Sequence, residues 1–286
     1  MLASALLLLQ ATFQSPRLIE SSGVVASRAH PGILWTHNDS GDRPYVYATN
    51  ARGEDLGALL VPGATAIDWE DMALGPCPLH FPAAARDCLY FGDTGDNLEF
   101  RPFVTVYAVP EPDPPERASD TLGTTRAPAA VRLRYPEGAH DVEAIYVSPR
   151  DTALYLVSKG WRRGSAIRLY RIDHRAFNLP DTASTVTIAS LVQTLDIIPN
   201  PESGRVVTGA TIRPDGKLVA IRTYSEIFFY YPGVGGRLAP ARETPCNLGG
   251  LEAAGEAIDF YDDSTLVLTS EATARRRGTI DFVHCN

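Results

Sequence analysis

Asp68-x-Glu70 and Asp141-x-Glu143 each set two carboxylates two residues apart at the head of an apolar run. In an extended strand, residues two apart point the same way, so each pair would present both acids on one face. Glu20 and Glu256 head similar runs, and Asp39, Asp93 and Glu271 stand at the ends of the runs that follow. Against these nine acids the same stretches supply Lys159 and Arg222. Like charges gathered at short range raise one another's pKa or destabilise the fold, so the pattern calls for a bound cation. A hard divalent ion with oxygen ligands fits, and Ca²⁺ tolerates an irregular ligand ring better than Mg²⁺ does. The expected metal ligands are Glu20, Asp39, Asp68, Glu70, Asp93, Asp141, Glu143 and Glu256. For any one of them the alternative is an acid that faces solvent or caps a turn.

A bound ion would polarise a carbonyl or phosphoryl oxygen and lower the pKa of a water, with Glu143 or Glu70 to take the proton. His37 and His140 stand near the expected mouth as proton shuttles, although a lone histidine there is more often structural. Lys159, Arg222 and Tyr224 could hold an anionic substrate or neutralise the acids. Trp69 and Trp161 could stack on a sugar, packing between elements being the commoner role. Asp39-Ser40-Gly41-Asp42 and Asp93-Thr94-Gly95-Asp96-Asn97 share an Asp-x-Gly-Asp pattern that can turn carbonyls toward a cation or form an ordinary turn. Pro214-Asp215-Gly216 reads as a plain hairpin turn. G-x-S-x-G, H-E-x-x-H, a phosphate-binding glycine loop and paired C-x-x-C are missing, which disfavours ordinary nucleophile and zinc mechanisms.

The elements that would carry these acids repeat. In Ala139–Lys159, residues 143–148 read as a strand, Pro149-Arg150-Asp151 break it, and residues 153–158 supply a second strand. Aligned on their apolar residues, Ser22, Glu70, Glu143, Thr208 and Glu256 fall at equivalent places in five such units. Each unit continues with a third strand (PYVYATN, VTVYAVPE, IRLYRID, EIFFYYP, GTIDFVH) and usually a fourth. Four short antiparallel strands per unit are the signature of an all-β propeller, here of five blades. Residues 110–130 have little to bury and read as a surface excursion. Residues 173–205 hold one good strand, 185–195, expected at the outer edge of the third blade; a hidden two-strand core there would make six blades. The last unit is one strand short, and residues 5–13 occupy the place a fourth strand holds before the other openings. Pairing of the two chain ends would then close the ring and remove a sheet edge. The alternative is that residues 1–17, with Leu6 to Leu9, are a remnant signal segment ahead of a single domain from 18 to 286.

With 286 residues, 44% of them hydrophobic, the chain can bury a large core. A formal charge of −8 argues against nucleic acid or an anionic membrane as partner. The basic run Arg275-Arg276-Arg277 reads as a solvated hairpin loop, and the apolar stretch near the start is too short to span a bilayer. Four cysteines lack metal-site spacing. Cys77 and Cys88 flank a turn they could clip, and Cys246 and Cys285 fall where neighbouring blades could be joined. An even number in an acidic all-β chain favours disulfides and a secreted or periplasmic location over buried thiols. A monomer binding a small molecule or carbohydrate, anionic if held through the metal, is the expected state.

ESSG, HNDSGD, IDWEDMA, LYFGDTGDN, HDVEAI and TGATIRPDGK together resemble bacterial exported β-propellers of the phytase-like and gluconolactonase or senescence-marker kind. The resemblance runs from about Leu18 to the C-terminus. Gluconolactonase-like enzymes hold one calcium through a glutamate on the first opening strand, which Glu20 matches, and through Asn or Asp on later ones. Glu70, Glu143 and Glu256 stand where neutral asparagines would be expected, which implies a more negative site with more than one ion. β-Propeller phytases bind several calcium ions in an acidic channel and draw a polyanionic phosphate ester through them, and the charge pattern here is similar. The resemblance therefore implies a calcium-dependent hydrolase of a phosphoester or lactone. The alternatives are a non-catalytic propeller that binds carbohydrate or protein with structural calcium, and a polysaccharide-modifying enzyme that grips a uronic acid through Lys159, Arg222 and Tyr224.

Overall fold

A computed structural model describes residues 4–115, 122–179 and 185–285. Among them the chain forms five antiparallel sheets whose opening strands are Ser21–Ala26, Trp69–Pro76, Val142–Val147, Val207–Ile212 and Gly255–Phe260. These five strands pack against one another around a common axis, and each sheet runs outward from them as a propeller blade. Blade 5 is completed by the chain's first strand. Ala5–Thr12 pairs antiparallel with Thr279–Cys285, so the two ends of the chain share a sheet.

Both faces of the inner strands of each blade are buried, as strand alternation requires when every sheet is sandwiched between two others; the outermost strand of blade 5 is not, and Leu6 to Leu9 on it are exposed. Val24 packs toward blade 5 and Val25 toward blade 2; Ala144 packs toward blade 4 and Ile145 toward blade 2. The result is five apolar clusters, one in each interface between neighbouring blades.

The outer edges are stitched together. Residues 185–195 do not make one strand of blade 3. Thr187–Ile188 pairs in parallel with the outer strand of blade 2, and only Ser190–Thr194 joins blade 3. No sixth blade is formed among the described residues. Within the surface excursion, Gly123–Thr124 returns to the edge of blade 1 as a short parallel strand. Each insert thus covers the edge of the preceding blade, which protects unpaired N–H and C=O groups from other chains. Disulfides finish the job: Cys77–Cys88 clips the first turn of blade 2, and Cys246–Cys285 joins blade 4 to blade 5. Two disulfides are the chemistry of an oxidising compartment outside the cytoplasm. Among the described residues no helix is long and apolar enough to cross a membrane.

Candidate metal centre at the axial mouth

Each opening strand carries a β-bulge at the same place. Its register against the second strand slips between Ser21 and Gly23, Trp69 and Met72, Val142 and Ala144, Val207 and Gly209, and Gly255 and Ala257. A bulge leaves one residue out of the ladder and re-aims its side chain. In register, those residues are Ser22, Glu143, Thr208 and Glu256, and in blade 2 Glu70 together with Asp71; Ser22, Glu70, Glu143, Thr208 and Glu256 are the set that the sequence alignment makes equivalent. All five are buried. Three carboxylates and two hydroxyls therefore ring the axis.

Among the described residues, two groups of acids have ligand atoms within 4.8 Å of one another: Asp39, Asp68 and Glu70, and Glu70, Asp141 and Glu143. Glu70 belongs to both. Asp39 comes from the loop after the second strand of blade 1, Asp68 and Glu70 from the opening of blade 2, and Asp141 and Glu143 from that of blade 3. One Asp141 oxygen accepts from the Asp96 amide at 2.8 Å; the other is buried without a hydrogen-bond partner. Gly95 lets the loop lie against both acids: a Cβ there would fall 2.5 Å from Asp68 Oδ2 and closer still to Glu70 Oε1, so the two carboxylates would have to move. A hard cation suits this donor set: it consists of carboxylate oxygens from several elements, and one oxygen lacks a proton donor.

Burial dominates the electrostatics. It raises the carboxyls of Glu70 and Glu143 well above the ordinary range, with each other's neighbours adding repulsion and Lys159 opposing it. Asp141 and Asp39 are raised for the same reason. Asp68 is pushed up to about 6 by burial, with Asp39 and Asp141 adding to it. On the far side of the mouth, burial pushes Glu256 to about 8 and Glu271 to about 7, with Glu271 repelling the former and Asp39 and Glu20 the latter. Glu20 is therefore part of the same field, although it belongs to neither triad. Lys159 is the counter-charge. Its Nζ donates to Glu143 Oε1 at 2.7 Å and lies 4.6 Å from the centre of the Trp161 ring. Carboxylates on three sides hold its pKa above the ordinary lysine value despite the opposing effect of burial. The Tyr224 hydroxyl donates to Glu256 Oε1 at 3.0 Å.

Other expected site residues lie elsewhere. Asp93 is fully buried and its carboxylate accepts from Arg101 at 2.9 Å and from the Asp68 amide at 3.1 Å. It shapes the loop under the acids and lies outside both triads. The Gly95 carbonyl accepts from Arg101 at 2.7 Å, so it does not turn toward a cation. His37 is enclosed beneath the mouth, edge-on to Trp69 and Phe91, and burial lowers its pKa to about 4. His140 sits outward, stacked on Tyr170, with Nδ1 3.4 Å from Glu99. Arg222 is fully enclosed: it donates to the carbonyl of Ala257 at 2.6 Å and to the Glu252 carboxylate. Its charge is matched inside the fold, away from any ligand entering from solvent. Trp69 packs between blades, but Trp161 is 45% exposed and walls a hollow that reaches Asp141.

Besides Glu252, the partner of Arg222, two acids that brace the axis were not expected. Asp71, fully buried, stands where the other opening strands have Gly23, Ala144, Gly209 and Ala257. Its carboxylate accepts from the amides of Met72 at 2.8 Å, Ile145 at 2.9 Å and Ala210 at 3.2 Å, tying blade 2 to blades 3 and 4 across the axis. Asp259 does the same for blade 5, accepting from the Ala26 amide at 2.8 Å and from Thr211 at 2.6 Å. An acid in an aligned column of small residues was the available signal for Asp71.

No family model matches the chain, and no curated protein matches it. Among solved structures, an auxiliary nutrient binding protein from Bacteroides thetaiotaomicron is 13% identical over 85% of this chain and 48% of its own, with a TM-score of 0.44. The chain thus spans about half the length of that protein. A proposed 6-phosphogluconolactonase from Bacteroides uniformis is 13% identical over 96% of this chain and 70% of its own, with a TM-score of 0.42. At this level neither likeness carries an argument about chemistry, and the fold rests on the strand pairings above.

Proposed function

We propose that this chain is an exported propeller whose axial mouth binds divalent cations, Ca²⁺ foremost, and serves the hydrolysis of a phosphoester or lactone. The observation that carries the reading is the pair of carboxylate triads meeting at Glu70, with an unpartnered Asp141 oxygen buried beside them. Asp39, Asp68 and Glu70 would hold one ion, and Glu70, Asp141 and Glu143 a second. When bound, such an ion polarises a carbonyl or phosphoryl oxygen. The chain's own residues supply the rest. Lys159 fixes Glu143 and draws an anionic group toward the mouth, while Tyr224 holds Glu256 across from it. The two disulfides support export, and a monomeric, phytase-like or lactonase-like protein acting on a small anionic molecule fits the acidic mouth.

One observation favours a second reading. Trp161 offers an exposed ring in a hollow of about 470 Å³ beside Asp141, as a carbohydrate-binding propeller with structural calcium would. Calorimetric titration of chelator-treated protein with Ca²⁺, Mg²⁺ and Zn²⁺ tests the shared premise. Uptake of Ca²⁺ that is lost in Glu70→Gln supports the centre, and turnover of aryl phosphates or lactones then separates hydrolase from binder. Failure to bind any divalent ion sinks both readings.

A further inference from the structure

The loop after the second strand of blade 2 carries apolar side chains that the fold does not bury. Leu98, Phe100 and Phe103 are 78%, 70% and 36% exposed, and Ile67 nearby is 61% exposed. Single exposed apolar residues are ordinary, whereas a contiguous group beside a charged mouth marks an interaction site. All four line one hollow of about 690 Å³, within the range of small-molecule sites. The same hollow is walled by Asp68 and Gly95, and Asp68 belongs to the outer carboxylate triad. The apolar surface therefore runs into the candidate metal centre.

The loop is held in shape by polar contacts rather than by burial of its apolar groups. Asp96 accepts from the amides of Phe100 at 3.0 Å and Arg101 at 2.7 Å. The Arg101 guanidinium in turn donates to the Gly95 carbonyl and to Asp93. These bonds hold Glu99 in a left-handed conformation at φ 52°, one that a non-glycine residue adopts only when its surroundings over-determine it. A loop fixed this way presents Leu98 and Phe100 to solvent without first having to order them, which lowers the cost of binding.

Resting on the proposed metal centre, we infer that this hollow is a subsite for an apolar, ring-sized substituent of the ligand whose anionic group reaches the cations at Asp68. The substrate class is then an amphiphilic ester or lactone rather than a bare phosphate or an unsubstituted sugar.

The test compares 2-naphthylmethylphosphonate with methylphosphonate, neither of which carries a hydrolysable ester, by calorimetry on Ca²⁺-loaded protein. The naphthyl compound is expected to bind at least tenfold tighter, about 1.4 kcal/mol. In the double variant Leu98→Ser and Phe100→Ser, whose side chains are exposed, the two compounds are expected to bind within twofold of each other with Ca²⁺ affinity unchanged. Equal affinities in the wild type, or a preference that survives the double variant, overturns the subsite while leaving the metal centre standing. If the protein takes up no Ca²⁺, the metal reading fails on its own and 2-naphthol decides the subsite without metal. Uptake lost in the double variant keeps the subsite; absent or unchanged uptake overturns it.

Discussion

Above about pH 6.5, where buried His37 is neutral in both states, stability of the metal-free protein is expected to fall as pH rises to 8, the reverse of the usual acid-labile behaviour. Burial raises several acids here, and the contribution that can be sized is that of Glu256, 8% exposed, whose carboxyl burial pushes from 4.5 to about 8. Between those values the folded chain keeps a proton that the unfolded chain has released. Stability then declines with pH, because the native state binds more protons. Each pH unit in that window is worth about 1.4 kcal/mol for one such group, so Glu256 alone would remove on the order of 4 kcal/mol across it. Glu271 and Asp68 shift in the same direction, to about 7 and about 6, but both are half-exposed and contribute less after solvent screening. Ca²⁺ binds the deprotonated acids and stabilises by mass action, about 4 kcal/mol at a thousand times Kd, so saturating Ca²⁺ should flatten or invert the slope. Urea unfolding at half-unit steps from pH 5 to 8, in chelator and in Ca²⁺, reads both curves. Glu256→Gln should make the decline in chelator shallower by about 1.4 kcal/mol per pH unit. A metal-free protein that gains stability toward pH 8, or a Glu256→Gln variant whose slope matches the wild type, would refute the reasoning.

Four further outcomes follow from the same geometry. Glu70→Gln takes a ligand from both triads, so calorimetry should show Ca²⁺ affinity down at least tenfold, with the metal-free protein no less stable than wild type because a buried acid has gone. Lys159→Met leaves Glu143 without its partner and should cost about 3 to 5 kcal/mol in chelator, with Ca²⁺ restoring part of it in the same unfolding assay. Asp71→Ala strands the amides of Ile145 and Ala210 in the core; at about 1 to 3 kcal/mol each the unfolding free energy should drop by roughly 2 to 6 kcal/mol with Ca²⁺ affinity changed little. Replacing both Cys246 and Cys285 by Ser should cost about 4 kcal/mol, against about 3 for the shorter Cys77–Cys88 loop, as read by paired denaturation curves.

The repeating four-strand unit and a last unit one strand short were readable in the sequence, because each leaves a local mark; the choice of five blades over six, the closure by residues 5–12 and the cysteine pairing were open there and come from the structure. Strand alternation, turn residues and a missing fourth strand are properties of short windows. What was not readable depends on which side of a strand a residue takes at the axis. Arg222 and Lys159 both end second strands and look alike as cations, yet Arg222 finds Glu252, a loop acid with no motif around it, and is enclosed. His37 reads as a mouth residue from its place beside Asn38 and Asp39, but it points into the interface with Trp69. Asp93 lies in a metal-like loop and is occupied by Arg101. Residues 185–195 look like one strand because nothing in the run breaks it. The chain nevertheless changes sheet there, with the Ala189 amide bonding Arg134 of blade 2 and Ser190 pairing with Arg171 of blade 3.

The recurring bulge explains why acids can gather at the axis at all. Five strands converge there, and the residue after each bulge is forced to be small: a Cβ at Gly23 would lie 2.7 Å from the Met72 amide, and one at Gly209 would lie 2.8 Å from the Glu256 carbonyl. Ala144 and Ala257 are the small residues at two of the other places. The bulged residue itself is freed from the ladder, so it can carry a long carboxylate toward the mouth without disturbing the pairing below. Only one of the five positions needs to break the rule to brace the ring, and Asp71 does so by accepting amides from two other blades as well as its own. With that carboxyl set across the axis beneath Glu70, the acids above it form the floor of a cup.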